Sequence, residues 1–252
     1  MKTQAIKLLK RLAAVALIAP ALAMASEAMH LDKWPAADHS DQRSLQYGAK
    51  LFINYCLNCH GASAIRYNQL LKLGLDEKTI TDNLLFTGEK IGDLMKVSLS
   101  REDAEAWFGT APPDLSIIAR AKASESGSGA DYLYTYLRKF YRDPSRPTGW
   151  NNVVFSNVGM PHALWDLQGV QSLLEETDDD GHVEHKLVQS TSGTLSPEDY
   201  DKAVADLVGF LVWMGEPVAD TRKTIGIFVL IFLAVFYVLA HALGKNYWKD
   251  IH

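Results

Sequence analysis

Cys56-Leu57-Asn58-Cys59-His60 is the stretch that decides the fold of this 252-residue chain, because it has the Cys-x-x-Cys-His spacing that attaches a c-type haem. Two thiols at this spacing can add to the two vinyl groups of one porphyrin, and the following His60 then offers a ring nitrogen to the iron. The sequence therefore predicts one haem c, covalently attached through Cys56 and Cys59, with His60 as the proximal ligand.

The motif uses both cysteines of the chain, and this argues against two other interpretations of the pair. A structural zinc site needs four ligands, and the sequence contains no second cysteine pair. A thioredoxin-like dithiol does not need the histidine and is expected in a βαβ context, of which the sequence shows no sign. Once haem is attached no disulfide can form, so we expect the apolar porphyrin to act as the centre of the core.

Residues 1–25 have the pattern of a secretory signal peptide. The apolar run at residues 12–23 is too short to cross a bilayer core of roughly 30 Å, which disfavours an N-terminal anchor, and the small residues Ala23-Met24-Ala25 suit a signal peptidase. Cleavage after Ala25 removes four of the 25 basic side chains and none of the 30 acidic ones, so the formal net charge changes from −5 to −9. An acidic exported protein is not typical of nucleic-acid binders, but it can attract a basic protein partner.

A second apolar run, residues 224–243, has His241 as its one basic or acidic side chain. Its 20 residues span roughly 30 Å as a helix, so we expect a transmembrane anchor rather than a buried soluble helix. The flanking cations are balanced and do not set its orientation. The signal peptide does: it predicts a periplasmic body at residues 26–219, a linker at 220–223 and a cytoplasmic tail at 244–252, in the inner membrane of a bacterium.

Between leader and anchor, apolar residues recur at helical spacing, so the sequence predicts an all-α haem domain with long loops. The predicted helices run from Ser44 into the haem motif, over residues 76–86, 100–108 and 131–140, and from Ser196 to Gly215. We expect residues 26–44 to form an arm that lies over the domain. Ala111–Ser116 contains two prolines and is expected to be rigid and extended. It is either a simple connection or a device that places a proline, Pro112, against the haem or the imidazole.

Met160 is the best candidate for the second axial ligand. It lies in a proline- and glycine-rich loop, residues 142–161, between Gly159 and Pro161, so helical core packing does not explain it. A thioether opposite an imidazole raises the reduction potential. The competing ligand is His162, which would make the iron bis-histidine.

Two charged features remain. Arg120 follows an apolar turn and is either solvated or a partner for a haem propionate, which guanidinium groups bind in a two-pronged way. The acidic run at residues 175–180 is either a solvated turn or hairpin tip, or part of a surface that steers a basic cytochrome c.

Taken together, these motifs closely resemble the cytochrome c1 family, the haem subunits of the cytochrome bc1 complex (ubiquinol–cytochrome c reductase). The resemblance rests on the haem motif with Arg66-Tyr67, on Pro112-Pro113-Asp114-Leu115-Ser116, on Gly159-Met160-Pro161, and on Trp213-Met214-Gly215-Glu216-Pro217 before a C-terminal span. It implies a cytochrome c-like haem domain in which His60 and Met160 are the axial ligands and Arg120 contacts a propionate. The short segment between Arg66 and Pro112 suggests a bacterial form.

The resemblance also implies a role and a set of partners. The chain would take one electron from the Rieske iron–sulfur protein and pass it to a soluble cytochrome c, as an electron-transfer subunit beside cytochrome b that is not catalytic on its own. Some family members carry an extra cysteine pair that this chain lacks, so its long loop must be held by packing or by partners. Two alternatives stay open: an anchored carrier for a different complex, and a haem enzyme or gas sensor in which Met160 does not bind iron.

Overall fold

The computed structural model describes residues 30–36, 41–177 and 183–250. The predicted signal peptide at residues 1–25 lies outside this part. About half of the described chain is helical, with eight α-helices and three two-stranded antiparallel sheets. The helices are α1 (Gln42–Leu51), α2 (Glu77–Asn83), α3 (Arg101–Phe108), α4 (Ile118–Ala121), α5 (Gly129–Arg138), α6 (Trp165–Gln168), α7 (Pro197–Gly215) and α8 (Ala219–Tyr247). The strands pair as β1 (Ala62–Arg66) with β2 (Leu94–Met95), β3 (Phe140–Arg142) with β4 (Trp150–Asn152), and β5 (Gly169–Thr177) with β6 (Val183–Ser192).

Most helices begin at side chains that cap their free backbone N–H groups. Asp76, Ser100 and Ser196 accept hydrogen bonds from the third helical residue of α2, α3 and α7, at the helix starts that the sequence predicts. The sequence predicts that the first helix begins at Ser44, and this prediction is wrong. The helix begins earlier, because the carboxylate of Asp41 accepts hydrogen bonds from the backbone of Arg43 and Ser44.

The core forms where α7 crosses α1, with α4 and α5 packed beside it. Gly48 lets the two backbones meet: a Cβ atom there would lie 2.2 Å from the carbonyl oxygen of Asp206. The rings of Phe52 and Phe210 pack across the same contact, with centroids 5.6 Å apart. Because the haem motif directly follows α1, this buried contact fixes the start of the site.

A small second cluster lies apart from the main core. It consists of Phe140, Trp150 and Val158, against which Met160 and Tyr136 are packed. Strand β3 leads into the long loop and β4 lies within it, so the cluster holds the loop that contains the predicted methionine ligand.

The strands are the main addition to the predicted all-α pattern. The longest pair is β5 with β6, and residues 178–182 between these two strands lie outside the described residues. Of the acidic run at residues 175–180, Glu175, Glu176 and Thr177 lie at the end of β5, and the rest lies outside the described residues. Met95 lies in β2, where it is fully buried.

An N-terminal arm crosses the helices, as expected for this polar stretch. The indole of Trp34 donates to the carbonyl oxygen of Ala205, and its backbone N–H donates to Asp131. Arg138 binds Asp32 of the arm and Asp201 of α7 at 2.9 and 2.6 Å. The arm therefore joins α5 to α7.

Helix α8 is the predicted anchor. Residues 221–247 are long and apolar enough to cross a membrane, with a mean hydropathy of 2.6, and none of its most apolar window is buried in the protein. The predicted single C-terminal span is therefore confirmed. The helix begins at Ala219, so residues 220–223, expected as a linker, lie within its first turns.

Candidate haem site

The haem motif sits on a tight turn at the end of α1. The helix widens into one π-helical turn, Phe52–Cys56, and the backbone N–H groups of Cys59 and His60 then both donate to the carbonyl oxygen of Cys56, at 3.1 and 2.8 Å. This turn brings both thiols and the imidazole onto one short piece of backbone. Both cysteines are free and half-buried.

The two thiols do not have the properties of a redox pair. Burial raises the pKa of Cys56 to about 12 and also raises the pKa of Cys59, so both are protonated at neutral pH. Reactive dithiols need a lowered thiol pKa. Within the described residues, no group of three or more Cys, His, Asp or Glu side chains is arranged to hold a metal ion. The geometry therefore favours covalent haem over the zinc and dithiol interpretations.

His60 is prepared as a metal ligand by one hydrogen bond. Its Nδ1 lies 2.8 Å from the carbonyl oxygen of Pro113, which can only accept, so Nδ1 carries the proton. Burial lowers the pKa of the imidazole, which keeps the ring neutral. Nε2 is then the unprotonated nitrogen, and the ring is held in a fixed orientation, as is usual for ligating histidines. The residues present therefore fit a haem iron.

The proline segment is a clamp rather than a simple connection. Asp114 accepts hydrogen bonds from the backbone and hydroxyl of Ser63, at 2.8 and 2.7 Å, and from the backbone of Ser116 at 2.9 Å. Leu115 donates to the carbonyl oxygen of Gly61 at 2.7 Å. These bonds tie the segment to β1, directly after the haem motif, and so place the carbonyl of Pro113 at His60. Pro112, the residue singled out from the sequence, lies half-buried beside this contact.

Met160 lies half-buried at the edge of the second cluster. Its Sδ accepts a hydrogen bond from the hydroxyl of Tyr136 at 3.5 Å. There is little room for a side chain at Gly159, because a Cβ atom would lie 3.0 Å from the carbonyl oxygen of Phe108. The loop thus runs close to the end of α3 just before it presents the thioether.

His162, the competing ligand, is enclosed by aromatic rings. Its imidazole stacks on Phe140 with centroids 4.8 Å apart and meets Trp150 edge-on at 5.2 Å. Only 3% of the residue is exposed, and burial lowers its pKa to about 4. This enclosure gives the ring a packing role in the second cluster, and it favours Met160 as the loop residue available to iron.

The long loop is held by asparagine side chains. Asn152, 1% exposed, donates to the carbonyl oxygen of Tyr136 at 2.8 Å and accepts from the backbone of Val154 at 2.8 Å and of Phe155 at 3.3 Å. Asn151 accepts from the backbone of Asn157 at 2.8 Å. Side-chain hydrogen bonds within the chain therefore hold the loop, which has no cysteine pair to hold it.

Arg120 lies exposed on α4. In the described part of the chain its guanidinium has no ion-pair partner, and a Cβ atom at Gly215 would lie 3.9 Å from its Cγ and Cδ atoms. The aliphatic part of the Arg120 side chain therefore runs over the end of α7, and its guanidinium group can reach an acidic group.

Sequence reasoning missed the residues that hold the ligands rather than bind the iron. Asp114 and Ser116 stand in the proline motif and could have been read as hydrogen-bonding side chains of a rigid segment. Asn152 and Tyr136 gave no signal, because their partners are brought to them only by the fold.

Comparison with known proteins agrees with this geometry. A family model described as the Cytochrome C1 family matches residues 33–251. The chain belongs to the cytochrome c1 family. It is 45% identical over 248 residues to cytochrome c1 of Allochromatium vinosum, covering 96% of this chain and 98% of that one. It is 28% identical to cytochrome c1 of Rhodospirillum rubrum over 239 residues, 84% and 83% of the two chains.

A relative with another name is equally similar. The chain is 47% identical over 247 residues to a protein of Nitrosomonas europaea named ammonia monooxygenase gamma subunit, covering 98% of this chain and 100% of that one. Members of the cytochrome c1 family carry a covalently bound haem c, and Cys56 and Cys59 are the residues that attach it here. When bound, this group supplies a reversible one-electron iron couple.

Proposed function

We propose that this subunit accepts one electron from the Rieske iron–sulfur protein and passes it to a soluble cytochrome c. As a family member, the chain is a haem-bearing electron-transfer subunit of the cytochrome bc1 complex with one membrane anchor. One observation carries the proposal: the Nδ1–H of His60 donates a hydrogen bond to the carbonyl oxygen of Pro113. This imidazole directly follows the two cysteines that form the thioether bonds. A fixed neutral imidazole suits outer-sphere electron transfer, which needs little rearrangement of the ligands.

The second part of the proposal is the ligand set. His60 and Met160 are the axial ligands, Arg120 neutralises a propionate, and the proline segment beginning at Pro112 supports the imidazole. The enclosure of His162 between two rings and the half-buried position of Met160 support this choice. A thioether ligand favours ferrous iron, so it suits an acceptor for a high-potential donor.

Replacing Met160 tests the ligand set and the open-iron alternative together. Met160→Leu keeps the volume and removes the donor atom, so the reduced protein should bind carbon monoxide, which the parent should not, and the potential should fall. Met95→Leu is the matched control, because Met95 is fully buried in β2. If Met160→Leu leaves spectrum and potential unchanged while His162→Ala alters both, the iron is bis-histidine.

The proposed topology places the haem domain in the periplasm and the tail in the cytoplasm. A protease added to spheroplasts should then digest the haem domain and spare α8. Protection of the haem-stained domain would overturn this orientation.

Purification from native membranes tests the partners. The full chain should copurify with a b-type cytochrome and a Rieske protein, and the isolated complex should reduce a soluble cytochrome c with quinol. Copurification with monooxygenase subunits, as the name of the Nitrosomonas relative indicates for that protein, or with a terminal oxidase, would assign the chain to a different complex.

A further inference from the structure

The hydroxyl of Tyr136 is the side-chain hydrogen-bond partner that the described structure gives to the Met160 thioether, with the oxygen 3.5 Å from Sδ. A thioether sulfur has two lone pairs, so one can bind a metal ion while the other accepts a hydrogen bond. We propose that Tyr136 is a positioning residue that holds the Met160 sulfur in its ligating orientation and raises the reduction potential of the haem. This inference rests on the proposed assignment of Met160 as an axial ligand.

The tyrosine ring is fixed by two neighbouring rings. It stacks on Tyr132 with centroids 5.9 Å apart and planes 10° apart, and it meets Phe140 edge-on at 5.1 Å. The backbone carbonyl of Tyr136 accepts a hydrogen bond from Asn152, which also holds the loop that carries Met160. Donor and acceptor are therefore positioned by one network, and the hydroxyl cannot move away without disturbing α5 or the loop.

The hydrogen bond has two physical consequences for the sulfur. It restricts rotation about the terminal torsions of the methionine, which has three rotatable bonds and would otherwise sample several orientations. It also withdraws electron density from sulfur, which makes the thioether a poorer donor. Ferric iron depends more on ligand donation than ferrous iron does, so the hydrogen bond favours the reduced state.

The test compares two tyrosines of the same helix in the full chain purified from membranes. Tyr136→Phe removes the hydroxyl that contacts sulfur and keeps the ring. Tyr134→Phe is the matched control, because its ring packs on the guanidinium of Arg138 at 4.3 Å rather than on the methionine. Both variants should retain covalent haem and similar thermal unfolding midpoints.

The expected result is a change confined to Tyr136→Phe. The equilibrium constant for haem reduction should fall about threefold or more, which is about 28 mV at 59 mV per tenfold for a one-electron couple. The far-red charge-transfer band from sulfur to ferric iron should change in position or intensity. Tyr134→Phe should change neither quantity.

A double-mutant cycle separates this role from a general packing effect. In the Met160→Leu background there is no lone pair to accept the bond, so Tyr136→Phe should produce no further fall in potential. An equal fall in both backgrounds would overturn the proposal. Equal potentials of the Tyr136→Phe and Tyr134→Phe variants would also overturn it. If the parent protein has the far-red band in that case, Met160 remains the ligand. A parent without the band would overturn the ligand assignment and this inference with it.

Discussion

Replacing Asn152 with alanine should open the loop that presents Met160 before the rest of the domain unfolds. The side chain is 1% exposed and satisfies three backbone groups, so truncation removes three hydrogen bonds at once. The N–H of Val154 is left buried without a partner, which costs about 1–3 kcal/mol. The carbonyl of Tyr136 keeps a 3.3 Å bond from Lys139, and the Phe155 bond is long, so each of these losses costs about 0.5–1.5 kcal/mol.

The expected total is a loss of about 2–6 kcal/mol in the free energy of unfolding, roughly one and a half to four decades in the equilibrium constant. Urea unfolding of the oxidised full chain should be followed by far-ultraviolet circular dichroism and by the far-red haem band. In Asn152→Ala the band should disappear at a lower urea concentration than the helical signal, and the reduced protein should bind carbon monoxide. Asn83→Ala is the control, because Asn83 is exposed and donates one bond within its own helix.

A difference of less than about 1 kcal/mol between the two variants would refute this account, because it would mean that the three bonds around Asn152 contribute no more than those of a surface amide. Coincident loss of both signals in Asn152→Ala would also contradict it. The loop would then unfold only with the whole domain.

Two further predictions concern the arm and the haem attachment. Burial raises the pKa of Asp131, but hydrogen bonds from Trp34, Ser128 and Lys33 outweigh it and hold the pKa below its usual range. Asp131 therefore adds stability above about pH 4, and this stability is lost as the pH falls through its lowered pKa. The difference in unfolding free energy between the parent and Asp131→Asn should become smaller in acid. A difference that does not change with pH would exclude this role. In the double variant Cys56→Ser with Cys59→Ser, haem staining should disappear from a denaturing gel, and staining that survives would refute thioether attachment.

Local chemistry explains what could be predicted. The caps at Asp76, Ser100 and Ser196 act on N–H groups three residues away, and the haem motif and the anchor are continuous stretches, so a sequence displays them directly. The sequence predicts the start of the first helix three residues too late, because Asp41 and Ser44 are both good cap residues and only the observed hydrogen bonds distinguish them.

Long-range pairing explains what could not be predicted. The β5–β6 hairpin mixes Gln, Ser, Glu and Leu without strict alternation, and it forms because two segments meet in space. The carbonyl of Pro113 carries no side-chain signal at all, yet it orients His60. Tyr136 lies 24 residues from Met160, so nothing in its local sequence connects the two.

The short connection between α7 and α8 limits how far the haem domain can move from the bilayer. Three residues, Glu216–Val218, separate the two helices, and Glu216 pairs with Arg222 across them. Fully extended, three residues reach about 11 Å. The domain is thus tethered at close range, and any membrane-bound partner meets it at a high effective concentration set by this tether. Electron exchange with a membrane-bound partner is governed by how the haem domain is oriented within the membrane plane. A soluble partner must instead diffuse to the haem domain from bulk solution.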